Sequence, residues 1–291
     1  MEAHFQLIQG IADNTTVPSM LPRVRARVQL MADLGSITER LREPGLSAEG
    51  KLELWEGLKV VSFVQPLSGM WAAVLLTVFS RVQLNILGRY MFIHDQDPKG
   101  AAAASAVFDA SVQQRFLTFT EDFCQQGVSM VVEVMRRAAQ NTIGIIDLGR
   151  AFRFSETIGI LAFVSSTFEA DIGAIGWSKI LVPNVESKLA GSDPAIRRMV
   201  EELRQILDSL AFDVAVKAAV RQVADGIARN VHAAFRATDQ LPFAKIVPLV
   251  SKSSDHIFAE IPPFVRAITQ IPEVDHLCAD IYSSPLPVQD P

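Results

Sequence analysis

Residues 51–93 read KLELWEGLKVVSFVQPLSGMWAAVLLTVFSRVQLNILGRYMFI, and this stretch decides the fold. Between Lys59 and Arg81 no charged residue occurs, while both flanks carry charges at nearly every turn. Such a stretch belongs in a protein core or in lipid. A spanning helix needs about 20 mostly apolar residues, and Val60 to Ser80 has that length. Its first half, however, holds Ser62, Gln65, Pro66, Ser68 and Gly69, leaving only Met70 to Phe79 strongly apolar. That content favours a buried core helix over a spanning one. Pro66 has no N–H and crowds the carbonyl one turn back, so a kink, or a break into two stacked helices, is expected there.

Outward from this stretch the chain keeps helical spacing. Val24, Val28, Met31, Leu34, Ile37 and Leu41 recur every three or four residues, predicting one amphipathic helix that ends at Glu43-Pro44-Gly45. Ser47 is placed to cap the helix that follows. His94 to Ala110 reads as a turn and an alanine-rich loop, and Ser111 to Ile146 as a helix with a bend or close contact at Gly127. In Leu148 to Ala170, which carries Phe152, Phe163 and Phe168, most of the aromatics read as ordinary core with no cofactor role. Ile172 to Asp193 is glycine- and proline-rich and reads as irregular, with Trp177 pinning it to the body. Asp193-Pro194 form a cap and first helical residue, helices follow over Ala195–Leu210 and Phe212–Phe235, and short ones complete the chain to Tyr282. No segment of appreciable length alternates with period two. The expected fold is all-α, a single large helical bundle built around one long central helix at about 52–93. Residues 1–18 read as an N-terminal extension, 19–282 as the bundle, and 283–291, with three prolines, as a disordered tail.

Composition narrows the function. With 291 residues and 49% hydrophobic content, the chain can bury a sizeable core. A net charge of −5 leaves no electrostatic footprint for nucleic acid. Cys124 and Cys278 make no disulfide framework, and a reducing compartment fits them, so the Asn14-Thr15-Thr16 sequon reads as unused. No G-x-S-x-G, P-loop, G-x-G-x-x-G, H-E-x-x-H or C-x-x-C pattern occurs. His276 and Cys278 lack the usual ligand spacing. No catalytic residue, cofactor or metal is therefore assigned.

One residue in the central stretch stands out. Trp55 has Lys51 and Lys59 as its neighbours one turn either way, while Leu54, Leu58 and Val61 form a separate apolar stripe. A tryptophan at the border of a solvated face is either a cover for the core edge or an anchor for a partner. Spacing alone favours the cover.

KLELWEGLKVVSF, RVQLNILGRYMF and the downstream LPFAKIVPLVS, in that order, resemble the peroxin-three family of peroxisomal membrane biogenesis factors. SMLP at Ser19–Pro22, SVQQRFL at Ser111–Leu117 and VDHLCADIY near the C-terminus add weaker similarity. The resemblance implies an all-helical domain at the peroxisomal membrane, facing the cytosol. A hydrophobic groove of that domain would receive the N-terminal amphipathic helix of a soluble partner, peroxin nineteen, which carries newly made membrane proteins. Trp55, Leu58 and Leu41 would be the apolar contacts, with Lys51 and Thr38 at the rim. Contact with membrane lipid and cargo, and a monomeric state, are further expectations. Family members usually carry an N-terminal membrane anchor, and the chain begins about where such an anchor and its linker would end. Two other classes stand beside this reading: a scaffold or organelle-inheritance adaptor using other surfaces, and an α-helical enzyme with an apolar pocket. At Gly88-Arg89 the family often has two glycines, so the arginine argues against close packing.

Overall fold

In the computed structural model, which describes residues 2–96, 110–189, 193–259 and 261–285, one helix organises everything else. Helix α4 (Ala48–Gln96) is 49 residues long, a rod of roughly 70 Å. Ser47 caps it, its hydroxyl accepting from the Gly50 amide at 3.0 Å. From Lys59 to Arg89 every residue except Gln65 is buried. The break at Pro66 does not occur. The helix continues through this residue, and the bond it forfeits is offset by burial of its neighbours Phe63, Leu67 and Met70. The uncharged stretch is thus surrounded by protein.

The helices around it are shorter than α4, and most bury one stripe against α4 or a neighbour. At the N-terminus, α1 (Glu2–Ile11) passes through a wide π turn (Ala12–Thr16) into α2 (Val17–Met31). The stretch read as an extension is therefore helical, and α1 packs Phe5 and Ile8 into the core. The single helix expected across Val24 to Leu41 is two. It stops at Ala32, and α3 (Leu34–Arg42) restarts with Asp33 as its cap, accepting from the Ser36 amide at 3.0 Å. The short carboxylate competes with the helix for backbone donors, which is why an aspartate interrupts an otherwise continuous apolar repeat.

Beyond α4 come α5 (Ala110–Asp122), a second π turn (Phe123–Gly127) and α6 (Val128–Ile143). The close contact expected at Gly127 is present, since a side-chain carbon there would strike the Ile180 carbonyl. A two-residue strand β1 (Ala151–Phe152) precedes α7 (Phe154–Ile175) and pairs with β2 (Leu241–Pro242). Between them lie α8 (Trp177–Leu181), α9 (Val185–Leu189), α10 (Pro194–Leu207) and α11 (Leu210–Ala234). After β2 come α12 (Phe243–Ala259), α13 (Ile261–Thr269) and α14 (Pro272–Ser283). Ile172 to Asp193 is less irregular than its glycines suggest, because α7 runs to Ile175 and two short helices follow. Trp177 pins this region as expected: its indole N–H donates to Asp213 at 3.1 Å and its ring stacks on Trp71 with centroids 6.0 Å apart. Asp193 caps α10 through the Ala195 amide at 2.7 Å. Most of the alanine-rich loop and of the proline tail lie outside the described residues.

Apolar contact alone would let these helices slide, and polar clips on α4 fix their register. Arg81 donates to Asp13 at 2.9 and 2.6 Å, Asn85 accepts from Gln9 at 2.7 Å, and Gln83 donates to the Phe116 carbonyl at 2.6 Å. Arg89 donates to the Ile281 carbonyl at 2.9 Å and pairs with Glu202. The expectation for Gly88-Arg89 is thereby corrected. Gly88 does pack closely, a methyl there falling 2.7 Å from Ile8, while Arg89 is buried by turning its charge toward α14 and α10. RVQLNILGRY is therefore a segment of clips, holding α1, the first π turn, α5, α10 and α14 to the rod.

Candidate docking site

The rod is covered everywhere except at its ends, and its first two turns project from the core. Among these residues only Leu54 is buried before Lys59. Leu52 is 60% exposed and Trp55 44% exposed, two large apolar side chains three residues apart on one face. Lys51 is exposed beside them and Leu58 is half-buried. The reason is local: α3 covers only one side of this end of α4. Gln65 donates to the Ala32 carbonyl at 3.0 Å, which sets the start of α3 beside Gln65, and helical spacing puts Gln65 in one stripe with Leu54, Leu58 and Val61.

α3 itself has no fully buried residue. Leu34, Ile37, Thr38 and Leu41, spaced along one face, are all half-buried. The Thr38 hydroxyl donates to the Leu34 carbonyl at 2.7 Å, which leaves its lone pairs open to a donor. Thr38 and Leu41 thus stand half-buried on α3, which packs against α4, while Trp55 and Lys51 are exposed on α4. Trp55 is not a closed cover for the core edge.

Sequence spacing missed the other side of this end of α4. Lys59 is 1% exposed, yet its ammonium donates to the carbonyls of Gly144 and Ile146 at 3.0 and 2.8 Å and pairs with Glu56. It grips the turn that links α6 to β1. α12 holds the same turn from behind, the amides of Phe243 and Ala244 donating to the carbonyls of Arg150 and Leu148 at 2.8 and 2.9 Å. LPFAKIVPLVS therefore fills the core with Phe243 and Ile246, as expected of it, and also fastens the turn, with Lys245 left exposed. The helix runs on through Pro248. Nothing in the sequence distinguishes Lys59 from Lys51; only its buried partners do.

The ionisable groups of this corner are paired or solvated, and Cys124 and Cys278, both free and buried, lie elsewhere. What it offers is exposed apolar surface with charges at its edge.

The Peroxin-3 family model matches residues 12–96, a span that contains α2, α3 and the whole of α4. Peroxisomal biogenesis factor 3 of Mus musculus is 26% identical over 312 residues, covering 97% of this chain and 82% of that protein. The chain is thus similar to Peroxin-3 proteins, by the family model over its first third and by its relatives along nearly its whole length. Peroxisomal biogenesis factor 3 of Homo sapiens is 25% identical over 313 residues, covering 97% of this chain and 83% of its own. Peroxisome biogenesis protein 3-1 of Arabidopsis thaliana is 25% identical over 296 residues, covering 98% and 83%. The relatives it resembles, in mammals and in a plant alike, are named as peroxisome biogenesis proteins.

Proposed function

We propose that this protein is the docking receptor for peroxin nineteen, taking its N-terminal amphipathic helix at the corner of α3 and α4 on the cytosolic side of the membrane. Docking there would bring newly made membrane proteins to the peroxisome. The observation that carries the reading is Trp55, a tryptophan 44% exposed at the free end of a helix that is otherwise core. Interfaces draw most of their energy from a few aromatic or large apolar anchors seated among polar neighbours. An amphipathic helix laid on such a surface would cover Trp55, Leu58 and Leu41, with Lys51 and Thr38 at the rim meeting an acid and a carbonyl or amide.

The test is calorimetric titration of the chain with a peptide of the N-terminal amphipathic helix of peroxin nineteen from the same organism, beside a Trp55→Ala variant. Micromolar or tighter binding that the variant loses, at unchanged melting temperature, is the expected result. Binding retained by the variant would move the site. No binding by a folded chain would end the docking reading.

A second reading, an adaptor role through another surface, has its own observation. Gly159, Ala162, Phe163, Ser166, Ala170, Gly173 and Ala174 form an uncharged exposed face along α7. Such a role would survive Trp55→Ala.

A further inference from the structure

We propose that Ile145, on the turn gripped by Lys59, forms the second wall of the docking groove and selects the helix that binds there; this rests on the docking reading above. Ile145 is 85% exposed. A lone exposed isoleucine needs no explanation by itself, because single apolar residues are common on protein surfaces. Its backbone is what sets it apart.

Both carbonyls that flank Ile145, those of Gly144 and Ile146, accept from the Lys59 ammonium at 3.0 and 2.8 Å. The Gly144 amide donates to Gln140 and the Ile146 amide to Ile143, each at 3.1 Å, and α12 fixes the far side of the turn through Leu148 and Arg150. A turn held this way keeps the isoleucine where it is before any ligand arrives, so little ordering cost attaches to its use in binding.

Its position follows from helix geometry. Leu52, Trp55, Glu56 and Lys59 fall at spacings of three, four and seven and share one face of α4. Helical side chains lean toward the N-terminus, so the Lys59 stem carries the turn back alongside Trp55 rather than past it. α3 packs against α4 and starts beside Gln65, which by helical spacing continues the adjacent Leu54–Leu58 stripe. Trp55 therefore stands between α3 on one side and the Ile145 turn on the other.

Charge then gives the occupant its chemistry. Lys51 lies on the α3 side of Trp55, whereas Glu49, Glu53 and Glu56 lie on the far side of Leu52, and Glu56 is already paired with Lys59. The helix that fits has an apolar face broad enough to reach Trp55 and Ile145 together and an acidic residue beside Lys51.

The experiment is calorimetric titration of the full chain with the peroxin nineteen peptide, run on the unmodified protein and on Ile145→Asp, Ile145→Val and Trp55→Ala. Ile145 is too exposed for its replacement to unfold the protein, and equal melting temperatures check this. Ile145→Asp is expected to weaken binding by roughly tenfold or more, while Ile145→Val keeps it within about threefold. Unchanged affinity in Ile145→Asp, with Trp55→Ala losing binding, would overturn the role of Ile145 and leave docking intact. Absence of binding by the unmodified chain would overturn both.

Discussion

Helices α4 and α7 have the same mean hydropathy, 1.5 in their most apolar windows, yet 94% of that window is buried in α4 and 17% in α7. Both are long and apolar enough to cross a membrane by length and composition alone. The difference lies in where the small and large residues fall. α4 spreads bulky side chains around its whole circumference, so only complete enclosure removes them from water. α7 confines Leu161, Val164, Phe168 and Ile172 to one stripe and gives its outer face to glycine, alanine and serine, with Phe163 standing out at 59% exposure. A cavity of about 260 Å³ remains between α7 and α11, with Leu67 and Met70 of α4 in its lining. Hydropathy measures the need for cover, and distribution around the helix measures how many neighbours must supply it.

Trp71 tests this contrast most severely. It is fully buried in α4, with Phe168 of α7 at 4.8 Å between ring centroids and Trp177 at 6.0 Å. Trp71→Ala is expected to cost about 3 to 5 kcal/mol in chemical denaturation. A loss below about 1 kcal/mol would mean that α4 is not the closed core described. Gly127→Ala, whose methyl has the Ile180 carbonyl in its way, is expected to cost about 1 to 3 kcal/mol, measured the same way.

Alkaline pH probes the same closure with a smaller effect. Burial pushes the Cys124 thiol up to about 12 and the Cys278 thiol up to about 11, from an ordinary 9.0. The unfolded chain therefore loses these protons before the folded one does. The stability they contribute is fully present below pH 9 and declines as pH rises toward 11 and 12. Replacing both cysteines with alanine should flatten that limb of a stability–pH curve, and an unchanged slope would count against buried thiols as its source. At the small end, Phe163→Ser on the open face of α7 should change stability by no more than about 0.5 kcal/mol. A loss near that of Trp71→Ala would show that something covers this face.

Much of the bundle was legible in advance because it depends on local rules. Ser47 and Asp193 cap where their short side chains predict, and Trp177 pins its segment. The failures share a cause. Asp33 splits α2 from α3 although Leu34 and Ile37 continue the apolar spacing, since periodicity cannot register a competing cap. Most aromatics of α7's segment read as core because aromatic residues usually are, yet Phe163 sits on a side of α7 that is exposed among the described residues. Arg89 argued against close packing and instead finds a carboxylate and a carbonyl far away in sequence. At the candidate site, Trp55 and Lys51 were visible as a tryptophan beside a lysine. The turn that carries Ile145 was not, because it is held to α4 by hydrogen bonds between residues more than eighty positions apart.

By itself the sequence determined that this protein is helical and that residues 60–80 must be enclosed, since period, caps and lack of charge act over a few residues and need no partner to be read. Only the tertiary structure decided which lysine is buried, which end of α4 stays open and which turn lies beside it. Those outcomes depend on groups brought together from distant parts of the chain, where the desolvation of a charge is tolerated only if carbonyls and carboxylates are there to meet it.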